Sequence, residues 1–136
     1  MHSKNKQAAL SYAQKGWKVF PVTPNQKRPL TALAPQGYKN ATSDLATIEQ
    51  WWTEHASANI GLNLEASGLV CVDVDSYKED CVFDTYMQDR DLPETLQQRS
   101  ARGGTHYIFR SPLDAEYPGT LGKGIDLEHR GYILLD

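Results

Sequence analysis

The chain has few cysteines, no long apolar run and, in its first 43 residues, no acidic residue. The two cysteines, Cys71 and Cys81, lack the CxxC spacing of metal sites, so we interpret both as free thiols in a reducing compartment. No apolar stretch is long enough to cross a membrane, and no signal-peptide apolar region follows the polar N-terminus. These absences predict a cytoplasmic protein without a membrane partner.

Charge is distributed unevenly along the 136 residues. Residues 1–43 hold seven Lys or Arg and no Asp or Glu, whereas the remaining residues hold seven Lys or Arg against seventeen Asp or Glu. The net charge of -3 is unlike that of a typical DNA-binding domain, which is basic. A basic segment beside an acidic body fits an enzyme that holds phosphates on one side and metals on the other. A solvated basic helix is the alternative interpretation.

The composition, 40% hydrophobic and 23% charged, is that of an ordinary globular protein, and we expect residues 1–136 to form one domain. Apolar periodicity and turn residues mark the elements. Three helices are predicted: residues 7–15, a second helix that begins after a cap at Ser43 or Asp44, and residues 78–89. The predicted strands are residues 17–22, 59–64 and 69–75, a hairpin of residues 99–101 with 105–109, and a final strand pair of residues 125–127 with 132–135. This irregular mixture favours an α+β fold with a mostly antiparallel sheet.

Asp73 and Asp75 end the most strand-like run of the chain, residues 69–75. Side chains two apart on a strand share a face, so both carboxylates point the same way and the intervening valines point into the core. Adjacent carboxylates repel, and a cation between them relieves the repulsion. Oxygen ligands of this kind suit Mg²⁺ or Mn²⁺. The alternative is a plain strand end, where Asp75 and Ser76 cap the next helix.

The sequence Gly103-Gly104-Thr105-His106 forms a second candidate element. Two glycines let the backbone approach a ligand and present its amide groups. Arg99 and Arg102 lie just upstream as anion partners, so a phosphate contact through His106 is the functional interpretation. The alternative is a hairpin turn followed by an incidental surface histidine.

Asp126 lies between two apolar residues on a short predicted strand. A carboxylate that faces inward among apolar neighbours needs a partner, which a metal shared with Asp73 and Asp75 would supply. Glu128 follows on the same face and competes for the ligand role. An outward-facing Asp126 on an amphipathic strand is the alternative.

The early loop Lys27-Arg28-Pro29 is a further candidate for phosphate binding. Cations on a proline-stiffened loop grip a phosphate at little entropic cost. An ordinary charged loop is an equally good interpretation. With His106 and Arg102, Lys27 is expected to line a triphosphate pocket.

In this order the elements resemble the primase-polymerase domain of the archaeo-eukaryotic primase superfamily, the type found in plasmid and phage replication proteins. The resemblance covers nearly the whole chain. Residues 72–75 are similar to the family's first catalytic motif, residues 103–109 to the second and residues 124–126 to the third. Its other landmarks match residues 9–10 and 16–22, Lys27 with Pro29, Trp51-Trp52 and residues 59–61.

The resemblance implies an RRM-like, mostly antiparallel mixed sheet flanked by helices. It implies divalent-metal ligands at Asp73, Asp75 and Asp126, and a contact between His106 and the phosphates of the incoming nucleotide. The implied reaction is attack of a primer 3′-hydroxyl on the α-phosphate, with loss of pyrophosphate and Mg²⁺ or Mn²⁺ as cofactor. The implied partners are a single-stranded DNA template, nucleoside triphosphates and an attached or separate helicase. The binding residues expected around the phosphates are Lys27, Arg102, Gly103, Gly104, Thr105 and His106.

Two departures from the family pattern accompany the resemblance. Arg102 stands where many relatives carry a small hydroxyl residue, and the chain stops soon after motif three, where relatives run on through a further segment. We therefore expect a domain shortened at its C-terminal end that makes primers poorly by itself. Two other functions stay open: a metal-dependent nuclease or phosphohydrolase that uses the same carboxylates, and a non-catalytic module that binds nucleotides or DNA.

Overall fold

The computed structural model describes residues 4–88, 90, 95–100, 102–112 and 114–135. The helices are α1 (Lys4–Gln14), α2 (Leu45–Glu54) and α3 (Phe83–Tyr86), with a 3₁₀ helix at Gly37–Asn40. The strands are β1 (Val19–Val22), β2 (Asn59–Asn63), β3 (Leu69–Val74), β4 (Leu96–Arg99), β5 (Thr105–Arg110), β6 (Thr120–Gly122), β7 (Ile125–Glu128) and β8 (Tyr132–Leu135). Within this described part, no helix combines the length and apolar character that a membrane crossing requires.

The chain divides into two compact units, each built around its own antiparallel sheet. The first unit contains Met1–Ser67 and Arg130–Asp136, and the second contains Gly68–His129. The expected α+β class with antiparallel pairing is confirmed. The expectation of one functional domain over the whole chain stays a prediction.

In the first unit, a three-stranded sheet of order β1-β2-β8 shares a core with α1 and α2. Every residue of β1 is buried, and Phe20 and Trp52 are among the largest fully buried side chains. The side chain of Asp44 caps α2 by accepting a hydrogen bond from the Thr47 amide, as one of the two predicted caps. Hydrogen bonds from the Thr47 hydroxyl and amide hold the pKa of Asp44 below its usual value.

The close packing of β2 against Phe20 of β1 requires a glycine at position 61. A Cβ atom there would lie 2.5 Å from Cζ of Phe20, on the neighbouring strand β1. Since real Cβ atoms do not approach so closely, the ring of Phe20 occupies the space that a side chain would need. The first sheet is thus built for packing, and its strands carry no charged residue.

In the second unit, five strands have the order β4-β5-β3-β7-β6, with β3 in the centre. Alternation along β3 divides its side chains between two faces. Val70 and Val74 are buried on one face, and the ring of Phe83 in α3 stacks on Tyr107 of β5 at 5.8 Å between centroids. Cys71 and Asp73 lie on the other face, which carries the polar residues described below.

Two predictions about this part of the chain are wrong. The strands over residues 125–127 and 132–135 do not pair with each other, because β7 pairs with β3 and β8 pairs with β2. The chain leaves one sheet for the other between them, so β8 completes the first sheet and not the sheet that carries the predicted catalytic motifs.

The helix predicted over residues 78–89 is reduced to the single turn Phe83–Tyr86, with residue 89 outside the described residues. The amide of Val82 donates to the Lys123 carbonyl at 2.9 Å, and Sγ of Cys81 lies 3.7 Å from the Gly124 carbonyl. These contacts tie the start of the segment to the β6–β7 turn, so its backbone groups are used outside a helix.

Candidate active site on the five-stranded sheet

One cross-strand row of the second sheet gathers polar residues from four strands. Gln98 on β4 lies opposite His106 on β5, His106 lies opposite Asp73 on β3, and Asp73 lies opposite Asp126 on β7. Residues directly opposed in an antiparallel pair share a face, with Cβ atoms about 4.5–5.5 Å apart. The sheet therefore places residues of all three predicted catalytic motifs side by side.

His106 is the most buried polar residue of this row, with 9% of its surface exposed. Its Nε2 atom lies 3.5 Å from Oδ1 of Asp73, and its Nδ1 atom lies 2.9 Å from Nε2 of Gln98. Polar groups on both sides thus fix the plane of the imidazole. The carboxylate of Asp73 is in turn only partly accessible, with 17% of its side chain exposed.

Negative charge accumulates on the same face around Asp73. Glu128 lies opposite Cys71, two residues from Asp126 on β7 and next to the row. Burial raises the pKa of Glu128 to about 7, and the charge of Asp73, together with a hydrogen bond to it, adds to the rise. Burial likewise raises the pKa of the Cys71 thiol, with smaller contributions from the charges of Glu128 and Asp73. A cation at this face would meet a locally negative environment.

Asp75 lies one residue beyond the end of β3, at the edge of the polar face. Its amide donates to the Gly124 carbonyl at 2.8 Å, and its Oδ2 atom lies 3.1 Å from Nζ of Lys78. The hydrogen bond and charge of Asp75 raise the pKa of the exposed Lys78 amine, and the charge of Asp126 contributes to the same shift. Lys78 is therefore within electrostatic reach of both Asp75, with which it is paired, and Asp126 of the row.

The two glycines of the second motif lie in the predicted hairpin turn, and one of them also lets the turn approach the central strand. Gly103 has φ +95°, in the left-handed region that favours glycine, and its amide donates to the Ser100 carbonyl at 3.0 Å. A Cβ atom on Gly104 would overlap the carbonyl oxygen of Val74 on β3. Both glycines therefore form the tight β4–β5 turn and its close approach to the central strand.

The residues on either side of Gly103-Gly104 differ in placement. Arg102 is exposed at the turn. Thr105 lies opposite Val74, on the face of the sheet that His106 does not share. Thr105 and His106 therefore cannot both face one ligand on the polar side of the sheet.

The profile of the family described as bifunctional DNA primase/polymerase, N-terminal, matches residues 9–136. The chain belongs to this family. A search of curated proteins finds no match. Membership gives the Prim-Pol domain described here a role among the primases and polymerases of DNA replication, as its motifs indicated.

Lys27, the remaining predicted phosphate-binding residue of the Prim-Pol chain, lies in the first unit. It is exposed, and its backbone carbonyl accepts a hydrogen bond from the hydroxyl of Tyr132. Tyr132 also stacks on Tyr38 at 6.0 Å between ring centroids. These contacts hold the Lys27 loop against β8, and a contact between Lys27 and a nucleotide stays a prediction.

The donor chemistry of the polar face suits a hard divalent ion. Asp73, Asp126 and Glu128 supply carboxylate oxygens, which Mg²⁺ and Mn²⁺ prefer. Over the described residues, however, no group of three or more His, Cys, Asp or Glu side chains is arranged to hold a metal ion. The residues therefore fit the implied metal by type, while the three-ligand site of Asp73, Asp75 and Asp126 stays a prediction.

Gln98 is the residue of the row that sequence reasoning missed. The predicted hairpin began at residue 99, whereas β4 begins at Leu96. Because Arg99 pairs with Thr105, Gln98 must lie opposite His106. Counting outward from Gly103-Gly104 would not have found it, because a two-residue turn pairs residue 102 with Thr105, whereas the observed partner of Thr105 is Arg99.

Proposed function

We propose that this Prim-Pol domain catalyses metal-dependent, template-directed nucleotidyl transfer in DNA replication. The observation that carries the proposal is the row in which His106, Asp73 and Asp126 are neighbours on β5, β3 and β7. A histidine in contact with one carboxylate, and a second carboxylate beside the first on the same sheet face, suit a reaction in which charged phosphates must be positioned. The proposed substrates are nucleoside triphosphates and a primed single-stranded DNA template.

Asp73 and Asp126 are the residues we propose as ligands of Mg²⁺ or Mn²⁺, with Asp75 as the third. When bound, the ion would neutralise phosphate charge and favour ionisation of the primer 3′-hydroxyl. Asp75 is paired with Lys78 at 3.1 Å, so its carboxylate reaches an ion only by giving up or sharing that contact. Lys78 is exposed whereas the side chain of Asp75 is only 15% exposed, so a bound ion would have to replace the lysine as the partner of this carboxylate.

His106 and Arg102 are the residues we propose for the triphosphate. The imidazole is buried beside Asp73, where a phosphate bound to an ion on the same carboxylates would lie within its reach. Arg102 is exposed at the β4–β5 turn and offers a guanidinium to phosphate oxygens. We expect His106→Ala to weaken nucleotide binding by about 1–3 kcal/mol, the cost of a lost charge-assisted contact. Calorimetry with a nucleoside triphosphate measures it.

The test is extension of a labelled, primed DNA template with nucleoside triphosphates and Mn²⁺ or Mg²⁺. Wild-type protein should extend the primer, and Asp126→Asn should not. Asp80→Asn, which removes an exposed carboxylate elsewhere in the same unit, is the matched control and should keep activity. Cleavage of the DNA without added nucleotides would instead favour a nuclease.

A non-catalytic module that binds nucleotides is the second candidate. It is favoured by the lack, within the described ranges, of a group of three metal-binding side chains. Such a module should bind a nucleoside triphosphate in calorimetry and yet leave the primer unextended at any concentration of Mn²⁺. Extension that Asp126→Asn abolishes would rule it out.

A further inference from the structure

The two units of the domain differ in the sign of their charge. The second unit, which carries the candidate active site, holds six Lys or Arg against twelve Asp or Glu, whereas the first unit holds eight against five. A nucleic acid strand is a polyanion, and contacts to its phosphates contribute much of its affinity for proteins. If a strand binds this chain, cations of the first unit must therefore supply most of the attraction.

Three exposed cations of the first unit lie on two segments that pack together. Lys27 and Arg28 lie in the loop after β1, and Lys39 lies in the 3₁₀ helix. A Cβ atom on Gly37 would lie only 3.1 Å from Cγ of Pro29, so the loop and the 3₁₀ helix are in close contact. None of the three cations forms an ion pair with a residue that the structure describes. Their charges are thus available to an anion from solution.

The loop that carries Lys27 and Arg28 is held at both of these residues. The amide of Thr23 donates to the Arg28 carbonyl at 2.8 Å, which closes the loop as a turn. The hydroxyl of Tyr132 donates to the Lys27 carbonyl from β8. A backbone that is already ordered loses less conformational entropy when its side chains bind a ligand.

Aromatic rings lie beside the same cations. The buried ring of Phe20 meets the ring of Tyr132 edge to face, with 5.0 Å between centroids, and Tyr132 in turn stacks on Tyr38 at 6.0 Å. Both tyrosines are partly exposed, and Tyr38 directly precedes Lys39. Proteins that bind single strands combine cations along the backbone with aromatic side chains on which bases stack.

We propose that Lys27, Arg28, Lys39, Tyr38 and Tyr132 form a strand-binding surface for single-stranded nucleic acid. The cations contact phosphates, and the tyrosines stack with a base. The surface selects single strands, because the bases of a duplex are already stacked on one another. Lys27 here contacts the strand and not the triphosphate. That the bound strand is the template rests on the proposed function, whereas binding itself needs neither metal nor nucleoside triphosphate.

The test is fluorescence anisotropy of a labelled single-stranded DNA oligonucleotide, titrated with the full chain at several salt concentrations without metal or nucleoside triphosphate. On a double-logarithmic plot the association constant should fall as salt rises, with a slope of about 0.7 for each phosphate contact. Arg28→Gln and Lys39→Gln should each weaken binding and reduce the slope by about 0.7. Tyr38→Leu should weaken binding about tenfold at an unchanged slope, because stacking of a base involves no counterion.

Lys15→Gln is the matched control, since it removes an exposed lysine of the same unit whose amine lies 5.5 Å from the centroid of a different ring, that of Trp17. It should keep the affinity and the slope of the wild type. Weakening by Lys15→Gln but not by Arg28→Gln would overturn the proposal, as would equal affinity for the duplex. Displacement of the strand by a nucleoside triphosphate at constant ionic strength would also overturn it. If the variants bind as expected and the wild type extends no primer, the strand-binding surface stands and the proposed function fails.

Discussion

The two sheets of this Prim-Pol domain are made from different kinds of strand. The strands β1, β2 and β8 of the first sheet contain no charged residue, and all four residues of β1 are buried. The second sheet carries Asp73, Asp126, Glu128 and His106 on one face of three adjacent strands. His106 is buried, Asp73 and Glu128 are partly buried, and Asp126 is exposed. Burying charged groups costs free energy unless they are paired, so the concentration of the first three in one sheet indicates a function for that sheet beyond stability.

The largest effect should follow from neutralising the centre of the second sheet. We expect Asp73→Asn to lower nucleotidyl transfer by about 10³-fold, since a metal contributes several kcal/mol and each 1.36 kcal/mol is tenfold. Primer extension measures the rate, and urea unfolding should show a fold as stable as the wild type. Equal activity in the variant would break the assignment of function to this sheet.

A core substitution in the first sheet should instead lower the stability of the fold. Leu62 on β2 is fully buried, and we expect Leu62→Ala to lower the free energy of unfolding by about 2–5 kcal/mol. Its control in the second sheet is Leu96→Ala, because Leu96 is 45% exposed and the change should stay within about 0.5 kcal/mol. Chemical denaturation measures both, and equal losses would contradict the contrast between the sheets.

Gly104 belongs to the second predicted motif and also packs against β3, so it tests whether a motif residue contributes to stability. We expect Gly104→Ala to cost about 1–3 kcal/mol, because its Cβ atom would overlap the Val74 carbonyl oxygen. Gly119→Ala is the control, because among the described residues beyond its two chain neighbours no atom lies within 4 Å of a Cβ atom there. Thermal unfolding of the two variants compares them, and a stable Gly104→Ala would show that the turn has other room to adjust.

The smallest effect concerns the pH dependence of stability in the metal-free protein. The pKa of Glu128 is raised from 4.5 to about 7, so the folded state holds a proton that the unfolded state releases. This stabilisation is complete below about pH 4.5 and is lost as the pH rises to about 7. Glu128→Gln should therefore reduce the fall in stability over that pH range. At alkaline pH the variant should unfold at a higher urea concentration than the wild type.

Urea unfolding at several pH values provides the measurement. Glu116→Gln, at an exposed position of the same unit, should keep the wild-type pH profile. An identical profile in Glu128→Gln would mean that the carboxyl group titrates as it does in the unfolded chain.

Local sequence patterns predicted the positions of the strands better than they predicted which strands pair. The alternation of residues 69–75 predicted β3 because Val70 and Val74 are buried on one face. The Gly103-Gly104 turn predicted the β4–β5 hairpin, but its first strand is Leu96–Arg99 and not residues 99–101. By contrast, β8 pairs with β2, whose residues are far away in sequence, and no local pattern encodes such a choice.

The candidate site divides in the same way. The period of two placed Asp73 on the polar face of β3, but its neighbours in the row depend on which strands pair with β3. The ion pair between Asp75 and Lys78 depends on a turn that was expected to be a helix. Glu128 was noted from its spacing to Asp126, whereas its raised pKa follows from burial, which the sequence does not specify.

The most direct test of the central claim is a crystal structure of the protein grown with Mn²⁺ and a nucleoside triphosphate. Anomalous scattering should locate manganese in contact with the carboxylates of both Asp73 and Asp126, with the phosphates within hydrogen-bonding distance of His106. Manganese bound elsewhere at saturating concentration, or nucleotide phosphates away from this row, would contradict the assignment of the active site to the second sheet.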